Sequence, residues 1–122
     1  MILKNVLLVV RDIERSRRFY QEILGLSVKA DLGEKVLFTG GVVLEESGPW
    51  ENALKHLVVY GGNDAELYFE APDAGVIRKR LEDSDFEAVF LTEEGEEPSE
   101  VVRFYDPDRH IIEVRTIGWN HI

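Results

Sequence analysis

The chain has 122 residues, 44% of them apolar, with 24 acidic side chains against 14 basic ones and a formal charge of −10. That length supports one compact core rather than two independent domains, and the acidity excludes a basic phosphate-binding face and with it nucleic acid. No apolar run reaches the roughly 18 residues that a membrane span needs, and with no cysteine there is no disulfide or thiolate chemistry, as suits a cytoplasmic protein.

In chain order, 3–10 is expected as a buried strand, nearly all apolar and rich in Val. No secretory signal pattern opens it, because Met1 to Lys4 lead straight into that strand. Asp12 is placed to cap a helix, Glu14 to complement its first turn and Gly25 to end it. Ile13, Ser16, Tyr20, Ile23 and Leu24 share one helical face with Phe19 beside them, while Arg15, Arg17 and Arg18 point outward. Short strands follow at 26–30, 35–39 and 41–46, turning at Gly33 and at Gly40-Gly41. Segment 47–52, Ser-Gly-Pro-Trp-Glu-Asn, is expected as a boundary between halves, and 56–60 as an edge strand or part of a lid.

Glu66 opens the next strand, 66–71, and Pro72-Asp73 starts a helix on which Ala74, Ile77 and Leu81 share a face. Strands are expected at 87–91, 101–105 and 111–116, the last two joined by an Asp106-Pro107-Asp108 turn. The acidic segment 93–97 is a solvated loop, since so many like charges cannot share a buried site.

The two halves, about 1–48 and 64–117 of a single 1–122 domain, repeat one design. Asn5 to Asp12 matches Glu66 to Asp73, and the closing strands carry Glu45 and Glu113. The fold class expected is α+β: two tandem βαβββ units whose free sheet faces form one curved mixed sheet with a shared cleft. Eight short strands leave edges that a second copy can complete, so a homodimer is expected.

The run Val10-Arg11-Asp12-Ile13-Glu14-Arg15-Ser16-Arg17-Arg18-Phe19-Tyr20, then Leu24-Gly25-Leu26, then Phe104-Tyr105-Asp106-Pro107-Asp108 with Ile111-Ile112-Glu113-Val114, resembles the vicinal oxygen chelate superfamily. That superfamily includes glyoxalase I, bleomycin-resistance proteins, fosfomycin-resistance enzymes and extradiol dioxygenases. The resemblance implies that a metal, where bound, takes its ligands from the first and last strands of each half, here Asn5, Glu45, Glu66 and Glu113. Strand parity separately turns Asn5, Glu45, Glu66, Tyr68 and Glu113 away from the helices, with Arg103, Tyr105 and Arg115 on the same side.

The superfamily usually places His, sometimes Gln, at the opening positions, where this chain has Asn5 and Glu66, and none of His56, His110 and His121 sits at a ligand position. An all-oxygen set suits a hard cation such as Mg²⁺ or Mn²⁺ better than Zn²⁺, and Ni²⁺ is a further candidate. Two readings follow for a small-molecule protein. In the glyoxalase I-like one, a metal-assisted lyase or isomerase acts on a carbonyl compound or its thiol adduct, with Glu113 as general base. In the other, a metal-free sequestration protein of the bleomycin-resistance type pairs its glutamates with Arg103 and Arg115 around an organic ligand. An epimerase of the same superfamily is a third possibility. Trp50, Phe38, Tyr60, Tyr68 and Tyr105 are candidates for an aromatic wall.

Overall fold

A computed structural model describes residues 1–91, 95, 97 and 99–118. Most of the acidic segment 93–97 and His121 of the tail lie outside the described residues. The chain falls into two compact units, Met1–Tyr60 and Gly61–Ile122. Among the described residues no helix is long and apolar enough to cross a membrane.

The first unit runs β1 (Val6–Val10), α1 (Ile13–Glu22), β2 (Val28–Asp31), β3 (Lys35–Phe38), β4 (Val42–Glu46) and α2 (Ser47–Leu54). Its four strands are ordered β1-β4-β3-β2, with β1 parallel to β4 and the other pairings antiparallel. The Asp12 side chain accepts from the Arg15 amide at 3.1 Å and starts α1. Gly25, at φ 70°, turns the chain out again, a conformation that a side chain would strain. The predicted apolar face of α1 buries Ser16, Phe19, Tyr20 and Ile23 against β3 and β4. Phe38 is only 2% exposed and stacks on Tyr20 at 6.0 Å. It therefore belongs to the core, not to an aromatic wall, because alternation along β3 sends Val36 and Phe38 to the helix side.

The expected boundary at 47–52 is instead α2, and the units divide later, after Tyr60. Ser-Gly-Pro suggests a turn, but Pro49 falls in the first helical turn, where its missing N–H is not needed. Lys55, at φ 58°, closes α2, and Glu51 then accepts from the Val58 amide at 2.7 Å. Segment 56–60, expected as a strand or lid, forms no regular element.

The second unit runs β5 (Glu66–Ala71), α3 (Ala74–Glu82), β6 (Val101–Tyr105) and β7 (Ile111–Thr116). Its sheet has the order β5-β7-β6, with β5 parallel to β7. The strand expected at 87–91 is reduced to one bridge, Phe90 to Phe104, with hydrogen bonds from Leu91 to Arg103 and from Tyr105 to Val89. Ala74, Ile77 and Leu81 of α3 are buried, and so are Val102, Phe104, Ile112 and Val114 of the sheet. The Arg78 guanidinium stacks on Phe90, whose ring meets Phe104 edge-on, which fixes the helix-covered face of this sheet.

Both units are thus mixed α+β pieces of the βαβββ type, the strand between α3 and β6 in the second being vestigial. In each, a side chain at the end of the last strand closes the first helical amide. Glu46 Oε1 accepts from Ile13 at 3.2 Å, and Thr116 Oγ1 from Ala74 at 3.0 Å. Glu46 therefore corresponds to Thr116.

Candidate functional site

That correspondence sets the register of the repeat. Leu7 pairs with Val43 and Tyr68 with Glu113, and Leu7 and Tyr68 stand equally far from their helix caps, Asp12 and Asp73. The counterpart of Glu113 is therefore Val43, and Glu45 corresponds to Arg115. This corrects the expected match of Glu45 with Glu113, which followed residue identity; backbone pairing follows hydrogen-bond register. Asn5 and Glu66 remain at equivalent levels.

The two sheet faces turned away from the helices consequently differ in chemistry. In the first unit the positions are Asn5, Leu7, Val9, Leu37, Val43 and Glu45; in the second they are Glu66, Tyr68, Glu70, Arg103, Glu113 and Arg115. On the first face Glu45 meets Lys35 at 3.8 Å across the strands. The level of Asn5 is four residues from that of Glu45, about 13 Å at strand rise, so the first unit does not bring these two together.

The second unit does bring its residues together. Glu113 sits in the middle of the face, 4% exposed, opposite Tyr68 on one side and Arg103 on the other. Arg103 Nε donates to Glu113 Oε1 at 2.7 Å, and Arg115 Nε donates to Oε2 at 2.6 Å. Alternation supplies both partners: Arg103 is directly across the ladder and Arg115 is two residues along the same strand. Glu66 joins from β5, diagonal to Glu113, and shares a hydrogen bond with it.

These contacts split the two carboxyls. Burial works to raise Glu113, but hydrogen bonds from Arg115, Arg103 and Glu66 outweigh it and hold the group below the ordinary 4.5. Glu66 moves up, through desolvation first and then the hydrogen bond and charge of Glu113, with Arg103 and Arg115 pulling the other way. Glu66 and Glu113 therefore titrate as a pair, with Glu113 the one that holds its charge more firmly. The hydrogen bond and charge of Glu113 keep the Arg115 guanidinium firmly cationic.

A divalent cation does not fit this arrangement. Both Glu113 oxygens already accept guanidinium N–H groups, and a metal there would press against two positive charges. Among the described residues no group of three or more His, Cys, Asp or Glu is gathered to hold a metal.

Other expected residues have structural partners. Trp50 lies half-buried in α2, and Tyr60 lies under the Arg11 guanidinium at 3.7 Å. Tyr105 donates to Asn63 Oδ1 at 3.1 Å, with Arg109 over its ring. His110, off the charged face, pairs through Nδ1 with Asp106 Oδ2 at 2.7 Å. A shallow depression of about 470 Å³ along α3, beside the exposed Lys79–Asp83 pair, holds none of the predicted residues.

A family model described as a glyoxalase-like domain matches residues 3–117. The chain belongs to that family. Its wider kinship is the vicinal oxygen chelate superfamily. A solved glyoxalase/bleomycin resistance protein/dioxygenase from Nocardioides superposes with a TM-score of 0.67 at 16% identity, over 99% of this chain and 86% of that one. A protein of unknown function from Agrobacterium tumefaciens is 33% identical, with a TM-score of 0.75, over 95% of this chain and 94% of that one. The curated Arabidopsis thaliana protein Glyoxylase I 4 is 27% identical over 92% of this chain and 68% of its own length. These matches make the chain a glyoxalase-like superfamily member; its charged face departs from the metal-ligand pattern that the resemblance implies.

Proposed function

We propose that this glyoxalase-like protein binds a small organic molecule without a metal, in the manner of the bleomycin-resistance type. The observation that carries this reading is the clamp on Glu113, whose two oxygens are taken by Arg103 and Arg115. Two guanidiniums do for that carboxylate what a cation would otherwise do. The ligand meets the clamp beside Tyr68, which is 42% exposed and offers a ring face.

Likeness to Glyoxylase I 4 favours the other reading, a metal-assisted lyase. Elemental analysis of protein purified without chelator separates them. We expect far less than one equivalent of Mg, Mn, Ni or Zn, and no rate above background with methylglyoxal and a thiol under any of these ions. A stoichiometric metal, with turnover that chelation abolishes, would overturn the metal-free reading.

The protein is further proposed to assemble as a homodimer. Support comes from the edge strands of its sheets, β1 and β2 in one and β5 in the other, together with exposed Val6 and Leu7 on β1. Light scattering at micromolar concentration is expected to give twice the chain mass of 14.0 kDa, and a monomer mass defeats this part alone.

A further inference from the structure

Resting on the reading that the charged face of β5, β6 and β7 receives a small molecule, we propose that residues 61–65 form a strap over one end of that face. The strap opens when Tyr105 lets go of Asn63. The sheet order β5-β7-β6 puts Glu66, Ile111 and Tyr105 in one row, at the end of the face beside the level of Glu113. Alternation turns the Tyr105 side chain to the same side as Arg103. Its hydroxyl donates to Asn63 Oδ1 at 3.1 Å, on the stretch of chain that leads into β5. β7 separates β5 from β6, so these two strands stand about 10 Å apart at ordinary strand spacing. The bond therefore draws the strap across the end of the face, past half-buried Ile111.

The way the strap is held supplies the second argument. Among the described residues, none of 61–65 joins a hydrogen bond between backbone groups, and the ladder of β5 begins only at Glu66. Gly-Gly-Asn-Asp-Ala buries little apolar surface, as expected of a segment that opens locally. What holds it is the exposed bond to Tyr105 and the stem of Arg109, 3.8 Å from where a Gly61 side chain would begin. Arg109 also lies over the Tyr105 ring at 5.0 Å, so ring and strap share one support. Gly61 (φ 73°) and Asn63 (φ 58°) take left-handed backbone with Gly62 between them. Glycine moves between left- and right-handed regions at little cost, which puts a hinge beside the latch. Tyr60, ahead of the strap, lies under the Arg11 guanidinium, and β5, behind it, is fixed in its ladder. Motion is thereby confined to the strap.

Two substitutions test the latch from its two sides. Tyr105→Phe keeps the ring under Arg109 and removes only the hydroxyl. Asn63→Gly removes the acceptor and suits the left-handed backbone at that position. Relative to intrinsic rates, each is expected to speed deuterium exchange at the amides of 62–65 about fivefold, the effect of one hydrogen bond. The double variant is expected to add little, since both changes remove the same bond. Access to the face is read with 2,3-butanedione, a small dicarbonyl that adds to guanidiniums. Arg103 is expected to be labelled about fivefold faster in either variant, with Arg80 on α3 unchanged. The amides of Ile112 and Val114, in the middle of the sheet, are expected to exchange as in the wild type. Unchanged exchange at 62–65 overturns the latch, and faster exchange without faster labelling of Arg103 shows that the strap does not cover the face. Faster exchange at Ile112 and Val114 as well means that the whole unit has loosened, which also overturns the proposal. Metal content, measured on the same sample, keeps the two ideas apart. Metal-free protein with unchanged exchange sinks the strap alone, whereas stoichiometric metal sinks the reading on which it rests.

Discussion

Replacing Asp106 with Ala is expected to lower the stability of the second unit by about 3–5 kcal/mol, because its buried carboxylate is the acceptor for two amides and the partner of the His110 ring. The Asp106 side chain is fully buried and works as a three-way acceptor. Its Oδ1 takes the amides of Asp108 and His110 at 2.9 and 2.8 Å, and its Oδ2 meets His110 Nδ1 at 2.7 Å. Together these bonds fold the turn between β6 and β7 and so set the register that brings Arg103 opposite Glu113. In the alanine variant two amides, one buried and one half-buried, lose their acceptor, each at about 1–3 kcal/mol. Asp106→Asn keeps the Oδ1 acceptor and is expected to lose less than half as much. Urea denaturation of the three proteins decides it: equal midpoints for the Ala and Asn variants would mean that the two amide bonds do not hold the turn.

This turn also marks how far the sequence could be read. Asp-Pro-Asp announced a tight turn, and the parity of 101–105 and 111–116 placed Arg103, Glu113 and Arg115 on one side. Asp12 and Asp73 as caps, with the apolar spacing behind them, gave both long helices, because capping and periodicity are local properties. Register is not local. Counting from Asn5 to Glu45 and from Glu66 to Glu113 matched glutamate with glutamate, whereas the ladders match Glu113 with Val43 and Glu45 with Arg115. Pairing is decided between strands, so residue identity misled. Segment 47–52 misled for another reason, since Gly and Pro punctuate turns and yet fit a first helical turn. The clamp on Glu113 was legible as an alternative to metal. What spacing could not supply was its geometry: each guanidinium takes one oxygen of the same carboxylate.

The most discriminating exchange makes this face of the second unit apolar, as the first unit is at the levels of Leu37 and Val43. Glu113→Val alone, copying Val43, is expected to lose about 3 kcal/mol, because two largely covered guanidiniums then lack the carboxylate between them. The triple variant Arg103→Leu/Glu113→Val/Arg115→Leu is expected to fall within about 1 kcal/mol of the wild type, since replacing a whole buried ionic group by apolar residues is commonly neutral. Its pH response should change as well. In the wild type the lowered Glu113 contributes stability in full above its unfolded value of 4.5, and that stability is lost as pH falls through the lower folded value. Glu66, raised from 4.5, acts oppositely: its contribution is complete below 4.5 and is lost as pH rises through the folded value. The triple variant lacks Glu113 and should lose the acid-side decline, measured as the urea midpoint between about pH 6 and about pH 3. A triple variant as unstable as Glu113→Val would make the cluster a stabilising element in its own right. Recovery of stability in the triple variant would instead mean that the fold can stand without these three charges.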